Sequence, residues 1–356
     1  MCYEITRRLV EREGCLADVV TMGYKGLPTY EEVIPGLRVY RVKCWRSKKE
    51  ICQPHELLSY IIPAFLKSRQ LLRRHHYDIC HTHFLIPTGI VSWLLKKLYR
   101  LEYVVTSHGS DIPGYNEDRF TVLHRFTRPL LKKLAHGARN IVVPSKYLAS
   151  LIKTTVDAEL ESKIVHIPNG IDINQFVPRT KSKTILSTGR LLPRKGFQYL
   201  IQAVSDRDLG YELHICGDGP MKPELRELAS KSMTSVVFHG WIDNTSDEYK
   251  DLLESAAIYC LVSSRENASI ALLEAMSAGC AVITSNVSGC PETVGDAGIV
   301  VEPGNTAQIR ESLEMLTGNQ ERAASLGNMA RRRVIEEFNW DKNISKYAQI
   351  LLKKQS

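Results

Sequence analysis

The sequence lacks several features that would place it in a specialised class of protein. No apolar run approaches the roughly 20 residues of a membrane span, and no internal repeat or low-complexity segment is present. Charges at Glu4, Arg7 and Arg8 interrupt the N-terminus, so it does not resemble a secretory signal peptide. The nine cysteines include no Cys-x-x-Cys pair, and this odd, unpatterned set indicates reduced thiols in a cytoplasmic protein.

Positive charge is concentrated in the first half of the chain. Residues 1–176 carry 26 Lys and Arg against 17 Asp and Glu, whereas the remainder carries 21 against 22. A basic half can bind nucleic acid, anionic lipid or a phosphorylated acceptor. The sequence has no nucleic-acid motif and no interleaving of aromatic and basic residues, so we expect no nucleic-acid partner.

Short apolar strands alternate with helical stretches throughout, as in parallel α/β sheets. The predicted strands of the first half are Ala17–Met22, Leu37–Val42, Ile79–His83, Tyr103–Ser107, Ile141–Pro144 and Ile164–Pro168. After a predicted linker at Asp172–Lys183, the strands are Thr184–Gly189, Glu212–Gly217, Val236–His239, Ile258–Val262, Ala281–Ser285 and Ile299–Val301. Two such series predict two Rossmann-like domains, 1–176 and 177–340, that face each other across a cleft. The terminal segment 341–356, with a predicted helix at Asn343–Lys354, either caps the second domain or crosses back to the first.

Two glutamates, Glu266 and Glu274, stand on either side of a predicted helix start. Asn267 or Ser269 can cap this helix, and Gly279 is placed to end it. Carboxylates accept hydrogen bonds from polyol hydroxyls, and a helix N-terminus attracts phosphate. This combination indicates a sugar nucleotide, although an ordinary helix glutamate and a loop charge would give the same pattern.

An ordered set of motifs between Tyr77 and Trp340 resembles the family-4 retaining glycosyltransferases of the GT-B fold. The first-half motifs are Asp78-Ile79-Cys80-His81-Thr82-His83, Thr106-Ser107-His108-Gly109-Ser110-Asp111 and Ile167-Pro168-Asn169-Gly170-Ile171-Asp172 with Phe176. The second-half motifs are Gly189-Arg190-Leu191 with Lys195-Gly196, Gly217-Asp218-Gly219-Pro220 and the glutamate pair. Each tetrapeptide is common by itself, but their order along one chain is specific.

The resemblance implies a donor-binding role for residues of the second half. Arg190 and Lys195 would hold the donor diphosphate, and a cationic clamp at developing phosphate charge is a large catalytic effect. Glu266 would bind hydroxyls of the donor sugar and Glu274 the ribose. The remaining predicted contacts are the backbone at Gly217 and Gly219, the nucleobase-lining Trp241 and Ile242, and the phosphate-binding amides of Ser269 and Ile270. A tight turn explains the two glycines equally well, and a core position explains Trp241.

On the acceptor side, the resemblance places His108 beside the transferred sugar and Gly109 next to it. We expect His83 to face the acceptor, and His81, on the other face of its strand, to lie in the core. The two strand histidines do not predict a metal site, because no third ligand follows at a usable spacing.

The sequence Asp206-Arg207-Asp208 has the spacing of a metal-binding Asp-x-Asp pair. It lies between a predicted helix and a predicted strand, which favours a solvated loop. We therefore expect a metal-independent enzyme without a cofactor, in which side chains and a helix terminus replace the cation.

The beginning of the chain departs from the family pattern. Family members open with a buried strand and a glycine-rich loop, whereas this sequence starts within the following helix, at Met1-Cys2-Tyr3-Glu4. The first sheet is therefore expected to lack its central strand. Either the natural product begins further upstream, or this form is truncated and inactive.

The sequence thus predicts a cytoplasmic, retaining hexosyltransferase of glycan biosynthesis. It would move a sugar from a nucleoside-diphosphate donor to a hydroxyl of a glycan or lipid-linked acceptor. The helix at Leu57–His76, apolar along one side and basic at Lys67, Arg69, Arg73 and Arg74, can lie on an anionic membrane or serve as an ordinary domain helix. The alternative functions are a sugar-nucleotide epimerase of the same fold and an inactive sugar-nucleotide-binding protein. A phosphorylase would need a pyridoxal-bearing lysine context, which the sequence lacks.

Overall fold

The computed structural model describes residues 1–47, 52–115 and 117–352. The chain divides into two compact units. Unit 1 comprises residues 1–167 together with the described residues from Asn343 onward, and unit 2 comprises Pro168–Lys342. Within the described residues, every helix is too short or too polar to cross a lipid bilayer.

The described residues of unit 1 form seven strands in two sheets. In chain order its elements are α1 (Cys2–Glu13), β1 (Ala17–Met22), β2 (Tyr30–Ile34), β3 (Leu37–Val42), α2 (Pro54–Ser59), α3 (Ile61–Leu72), β4 (Cys80–His83), α4 (Thr88–Tyr99), β5 (Tyr103–Thr106), α5 (Glu117–Gly137), β6 (Ile141–Val143), α6 (Lys146–Thr155) and β7 (Ile164–His166). One sheet has the order β1-β3-β2 and the other the order β4-β5-β6-β7. The described strands of this unit therefore pair as two separate sheets.

The larger sheet of unit 1 is fully parallel and covered by helices. Tyr103, Val105, Ile141 and Val143 are fully buried against side chains of α5 and α6, such as Leu134. Such continuous apolar burial is typical of parallel strands, which are covered on both faces. The predicted strands at β4, β5, β6 and β7 are confirmed to within a residue or two at each end.

Unit 2 is a doubly wound α/β domain. Its elements are β8 (Ser182–Thr188), α7 (Phe197–Val204), β9 (Glu212–Cys216), α8 (Lys222–Ala229), β10 (Val236–Gly240), α9 (Asp247–Ser255), β11 (Ala256–Leu261), α10 (Ile270–Ser277), β12 (Ala281–Ser285), α11 (Cys290–Val294), β13 (Ile299–Val301), α12 (Thr306–Thr317) and α13 (Gln320–Glu337). The six strands are parallel in the order β10-β9-β8-β11-β12-β13. The strand order reverses beside β8, and ligands of such sheets bind where the order reverses, outside the carboxyl ends of the strands.

Alternate residues of the strands in unit 2 enter two separate cores. In β11, Tyr259 and Leu261 pack on one face of the sheet, whereas Ile258 and Cys260 pack on the other. Because successive side chains of a strand point to opposite faces, this division places helices on both sides. The fold class predicted from the sequence is therefore confirmed for this unit.

The predicted boundary at residue 176 needs correction. Residues 168–176, predicted to close the first domain, belong to unit 2. The amide of Ile171 donates to the carbonyl of Phe338 at 2.9 Å, and Phe176 is buried in the core of unit 2. Gly170 lies directly against Trp340, whose ring would stand 2.4 Å from an added Cβ, so a side chain at position 170 would clash. The predicted linker is thus packed rather than free.

Three further elements differ from the predictions. Strand β2 pairs antiparallel with β3 and was not predicted, because two glutamates interrupt the apolar pattern of its sequence Tyr30-Glu31-Glu32-Val33-Ile34. The single helix predicted at Leu57–His76 is divided into α2 and α3 at Tyr60, where the backbone stays in the right-handed helical region. The last helix, α14, spans Trp340–Leu351 instead of Asn343–Lys354, and residues 353 and 354 lie outside the described residues.

Candidate active site

In unit 2, three loops meet at the carboxyl ends of β8, β9 and β10. The amide of Gly189 donates to the carbonyl of Cys216 at 2.9 Å, and the amide of Gly217 donates to the carbonyl of Gly240 at 2.6 Å. Gly217 has a φ of +153°, and a Cβ there would lie 1.8 Å from the carbonyl oxygen of Gly189. Only glycine fits this contact, so the glycine turn predicted at this position is required by backbone packing.

The structure brings two predicted site residues, Lys195 and Glu266, into direct contact. The Lys195 ammonium forms an ion pair with Oε1 of Glu266, and the Ser263 hydroxyl donates to the same oxygen at 3.0 Å. Both charged side chains are largely buried, with 19% and 13% of their surface exposed. A buried ion pair that is also hydrogen-bonded holds its two groups in a defined geometry.

The backbone fixes the loops that carry this ion pair. The amide of Ser264 donates to the carbonyl of Arg194 at 2.8 Å, which ties the loop after β11 to the segment before α7. Gly196 adopts a φ of +77°, and an added Cβ would lie 2.1 Å from the Val262 carbonyl oxygen. This close approach places Lys195 and Glu266 side by side, although they are far apart in the sequence.

The other predicted donor contacts differ in their exposure. Arg190 follows β8 and is exposed, with no hydrogen-bond or ion-pair partner for its guanidinium among the described residues. Trp241 follows β10 and is 73% exposed, so the core role considered for it is wrong. Ile242 is half-buried against the core of unit 2. An exposed aromatic ring beside the strand ends provides a face on which a planar group can stack.

Helix α10 begins at the predicted position beside the ion pair. Ser269 is its N-cap residue but makes no capping hydrogen bond with its side chain, and Ile270 is the first helical residue. The first amides of an α-helix have no partner within the helix, and its dipole favours an anion there. At the other end, Gly279 has a φ of +73° and its amide bonds to the Met276 carbonyl, so it ends the helix as predicted.

Glu274 is buried, contrary to the view that it is an ordinary exposed helix residue. It is 7% exposed, and the Tyr249 hydroxyl donates to its Oε2 at 2.8 Å. Burial raises the pKa of Glu274 to about 7, and the hydrogen bond from Tyr249 opposes this rise only in part. Near neutral pH the carboxyl group therefore exists in both protonation states.

This raised pKa predicts a stability that depends on pH. The folded protein keeps a proton on Glu274 that the unfolded chain, with an ordinary glutamate pKa of 4.5, loses first. The free energy of unfolding should therefore fall as pH rises from 4.5 to about 7 and then level off, by about 3 kcal/mol from this residue. Glu274→Gln should remove this loss and raise the melting temperature at pH 8 relative to the parent protein.

The matched control for this prediction is Glu311→Gln, which removes a carboxyl group from an exposed position on α12. Thermal melts of the three proteins between pH 4.5 and 8 provide the measurement. If the Glu311 and Glu274 variants keep the same pH profile, Glu274 is not protonated in the folded protein at neutral pH.

In unit 1, the predicted acceptor-side residue His83 lies beside His108, the residue predicted to be catalytic and next to the transferred sugar. His83 is the last residue of β4 and pairs in register with Thr106, the last residue of the neighbouring β5. His108 follows β5, and its Nε2 lies 3.0 Å from Nδ1 of His83. Burial lowers the pKa of His108 to about 4 and that of His83 well below its usual value, so both imidazoles are neutral at pH 7.

The prediction that His81 lies on the other face of its strand is wrong. Residues two apart in a strand share a face, and the His81 and His83 ring centroids are 4.5 Å apart. Nε2 of His81 is hydrogen-bonded to the Thr106 hydroxyl oxygen at 2.8 Å, and its ring lies 5.8 Å from that of Tyr347 on α14. His81 is therefore a half-buried neighbour of the histidine pair rather than a core residue.

The loop that carries His108 is held by a buried carboxylate. Asp111 accepts hydrogen bonds from the Leu85 amide at 2.7 Å and from the Ser107 hydroxyl at 2.9 Å. Gly109 has a φ of +100°, and an added Cβ would lie 3.0 Å from the Tyr115 ring. His108 therefore lies on a turn, Ser107-His108-Gly109-Ser110-Asp111. The hydrogen bonds that Asp111 accepts hold this turn in place.

Asp206 and Asp208 lie on an exposed loop before β9, at the opposite edge of the sheet from Lys195 and Glu266. Asp206 forms an ion pair with Arg310 at 2.9 Å, and Asp208 accepts a hydrogen bond from the Gly210 amide. The two carboxylates are thus bound to their own surroundings and lie at the amino ends of the strands. This agrees with the interpretation of the segment as a solvated loop.

Two residues that were not predicted from the sequence position the two glutamates. Ser263 holds Glu266, and Tyr249 holds Glu274 from α9. Ser263 precedes Glu266 by three residues and could have been suspected from that spacing. Tyr249 gives no such signal, because only the packing of α9 against α10 brings it to Glu274.

The chain is similar in sequence to known families of glycosyltransferases. Residues 170–333 match the family described as Glycosyl transferases group 1, and residues 1–175 match Glycosyltransferase Family 4. An uncharacterised glycosyltransferase of Methanocaldococcus jannaschii is 30% identical, over 97% of this chain and 91% of that protein. The N-acetyl-alpha-D-glucosaminyl L-malate synthase of Bacillus anthracis is 27% identical, over 82% of this chain and 78% of that protein.

Solved structures share the fold at lower sequence identity. A sucrose-phosphate synthase of Thermosynechococcus elongatus superposes with a TM-score of 0.80 at 20% identity, covering 98% of this chain and 90% of that one. The Anabaena protein HepE, in complex with UDP, superposes with a TM-score of 0.72 at 17% identity, covering 88% and 86%. At these identities the likeness establishes the fold alone.

Proposed function

Because the chain belongs to the family-4 glycosyltransferases of the GT-B fold, we propose that it transfers a hexose from a nucleoside-diphosphate donor with retention of anomeric configuration. The observation that carries this proposal is the group of Lys195, Glu266 and the α10 N-terminus at the carboxyl ends of adjacent strands. This group combines positive charge and free amides for a diphosphate with a carboxylate for sugar hydroxyls.

We assign the donor to unit 2 and the acceptor to unit 1. Lys195 and the exposed Arg190 would bind the diphosphate oxygens, and the first amides of α10 would bind the distal phosphate. Glu266 would orient the sugar hydroxyls, and Glu274 would accept a hydrogen bond from the ribose. Trp241 would stack on the nucleobase, while His83 and His108 would face the acceptor and the transferred sugar.

The proposed reaction needs no covalent intermediate on the protein. The bond between the anomeric carbon and the diphosphate oxygen breaks, and the acceptor oxygen bonds to the anomeric carbon on the same face. The acceptor proton passes to the departing diphosphate oxygen. Lys195 and Arg190 stabilise the charge that develops there, which is the role of preorganised cations in such transfers. Because side chains supply this charge, we infer that no metal ion or cofactor is required.

Product analysis by mass spectrometry tests the proposed function. The full chain is incubated with a panel of hexose nucleotides and glycan or lipid acceptors, with and without a metal chelator. We expect one acceptor to gain a hexose at a rate that the chelator leaves unchanged, with the product keeping the donor's anomeric configuration. An epimerised donor without acceptor, or donor binding without any product, would replace this proposal with one of its two alternatives.

We further propose that unit 1 binds an anionic membrane surface, from which it receives a lipid-linked acceptor. Leu58, Ile62 and Leu66 on α2 and α3 are 59%, 70% and 54% exposed. Residues four apart lie on the same side of a helix, so the three form one apolar stripe. Exposed Arg73 and Arg74 follow at the end of α3. An apolar stripe next to basic residues supports interfacial binding to anionic lipid.

A further inference from the structure

Three potential metal ligands converge in unit 1. Nδ1 of His83 lies 3.0 Å from Nε2 of His108, and the Cys2 sulfur lies 3.8 Å from that same nitrogen. The three ligand atoms all lie within 4.8 Å of one another, and none of the side chains is fully buried. Solvent and small ions can therefore reach the cluster formed by Cys2, His83 and His108.

The three residues come from three different elements. His83 ends β4, His108 follows the neighbouring β5, and Cys2 begins α1. In the sequence, no third ligand stands at a usable spacing from His81 and His83. Two ligands are supplied by segments distant in sequence, so spacing within one motif could not identify this cluster.

Two of the three separations within the cluster, those that involve Nε2 of His108, are close to the separations around a tetrahedral ion. With Zn–N bonds of about 2.0 Å and Zn–S bonds of about 2.3 Å, tetrahedral angles separate two nitrogens by about 3.3 Å and nitrogen from sulfur by about 3.5 Å. The corresponding separations here are 3.0 and 3.8 Å. We propose that Cys2, His83 and His108 bind a divalent zinc ion, with a fourth position open to water or another ligand.

Such an ion would act as a regulator rather than as a catalyst. It would occupy ring nitrogens of His83 and His108, the residues proposed to face the acceptor and the transferred sugar. Bound zinc would therefore inhibit sugar transfer. This second step rests on the proposed function, whereas the binding of zinc does not.

Cobalt provides a direct test of binding, because Co²⁺ occupies zinc sites and a bound thiolate produces a sulfur-to-metal charge-transfer band. The fully reduced full chain, titrated with Co²⁺ alone, should show this band and lose it when Zn²⁺ is added. Cys2→Ser should abolish the band and weaken zinc binding by at least about 100-fold, more than the loss of an outer partner of a ligand usually costs. His83→Ala should weaken zinc binding to a similar extent.

The matched control is Cys15→Ser, which removes another incompletely buried thiol close to the other end of α1. It should keep both the band and the affinity, and melting temperatures show whether each variant is folded. Absence of the band in the parent protein, or its persistence in folded Cys2→Ser, would overturn the proposed site.

The proposed inhibition is tested by measuring the rate of sugar transfer by the parent protein and by Cys2→Ser with and without zinc. Zinc at the concentration that saturates the parent protein should stop its activity and leave that of Cys2→Ser within about twofold, given the 100-fold affinity difference expected above. Equal inhibition of the two proteins would overturn the regulatory role. If neither protein transfers sugar, the proposed function fails, while the cobalt titration still decides the metal site.

Discussion

Replacing Lys195 or Arg190 with alanine is expected to lower the turnover number by at least about 100-fold, the effect of losing one preorganised donor to developing negative charge. In the free protein, Lys195 is paired with Glu266, while Arg190 has no partner for its guanidinium among the described residues. Under the proposed function, both side chains would bind the donor diphosphate. Steady-state kinetics with saturating donor provide the measurement, and the effect should appear mainly in kcat.

Arg194→Ala is the matched control, because it removes one exposed positive charge from the same segment. Its turnover should stay within a few-fold of the parent value, since only long-range attraction is lost. Arg190→Lys should restore little activity, because a point charge replaces a bidentate guanidinium. Retention of near-parental turnover by either alanine variant would show that the clamp is wrongly assigned.

Removal of the apolar stripe is expected to abolish most binding to anionic vesicles. Leu58, Ile62 and Leu66 are more than half exposed, so their replacement by serine costs the folded protein little packing. If each side chain contributes about 1 kcal/mol when it enters the interface, the triple change weakens partitioning by more than about 100-fold. Co-sedimentation with vesicles of mixed neutral and anionic phospholipid measures the change.

Two further variants test whether vesicle binding depends on this stripe or on exposed apolar side chains in general. Leu98→Ser removes another apolar side chain of unit 1 that is 62% exposed but belongs to α4 rather than to α2 or α3. It should leave vesicle binding unchanged. Arg73→Ala with Arg74→Ala should lower binding at low salt by about 1 kcal/mol per charge, and this difference should shrink as salt rises. Equal binding by the stripe variant and the parent protein would exclude this surface.

Sequence patterns identified the strands of unit 2 because the physical requirement on each is local. Buried parallel strands need continuous apolar runs, and these are visible at β11 and β12. Gly217 and Gly279 were also predictable, since a close backbone contact and a left-handed helix end each leave a glycine in a recognisable place.

The features that could not be predicted from the sequence depend on contacts between distant segments of the chain. The pair of Lys195 and Glu266 depends on the approach of Gly196 to Val262, and no local pattern encodes that approach. The burial of Glu274 depends likewise on Tyr249, a residue of another helix. The sequence predicts a boundary at residue 176, whereas residues 168–176 pack within unit 2. Their contact with the segment at Phe338 joins positions far apart in the chain, so no local pattern reveals it.

The division of unit 1 into two sheets has a consequence for its behaviour at high concentration. Among the described residues, β1 pairs only with β3, and β4 only with β5. Each of these strands therefore has a side along which the ladder of backbone hydrogen bonds is not continued. Unpaired strand edges are templates on which strands of other molecules can assemble. In β1, Val19, Val20 and Thr21 favour strand pairing, so we expect the free side of this strand to be one place where self-association of the protein can begin.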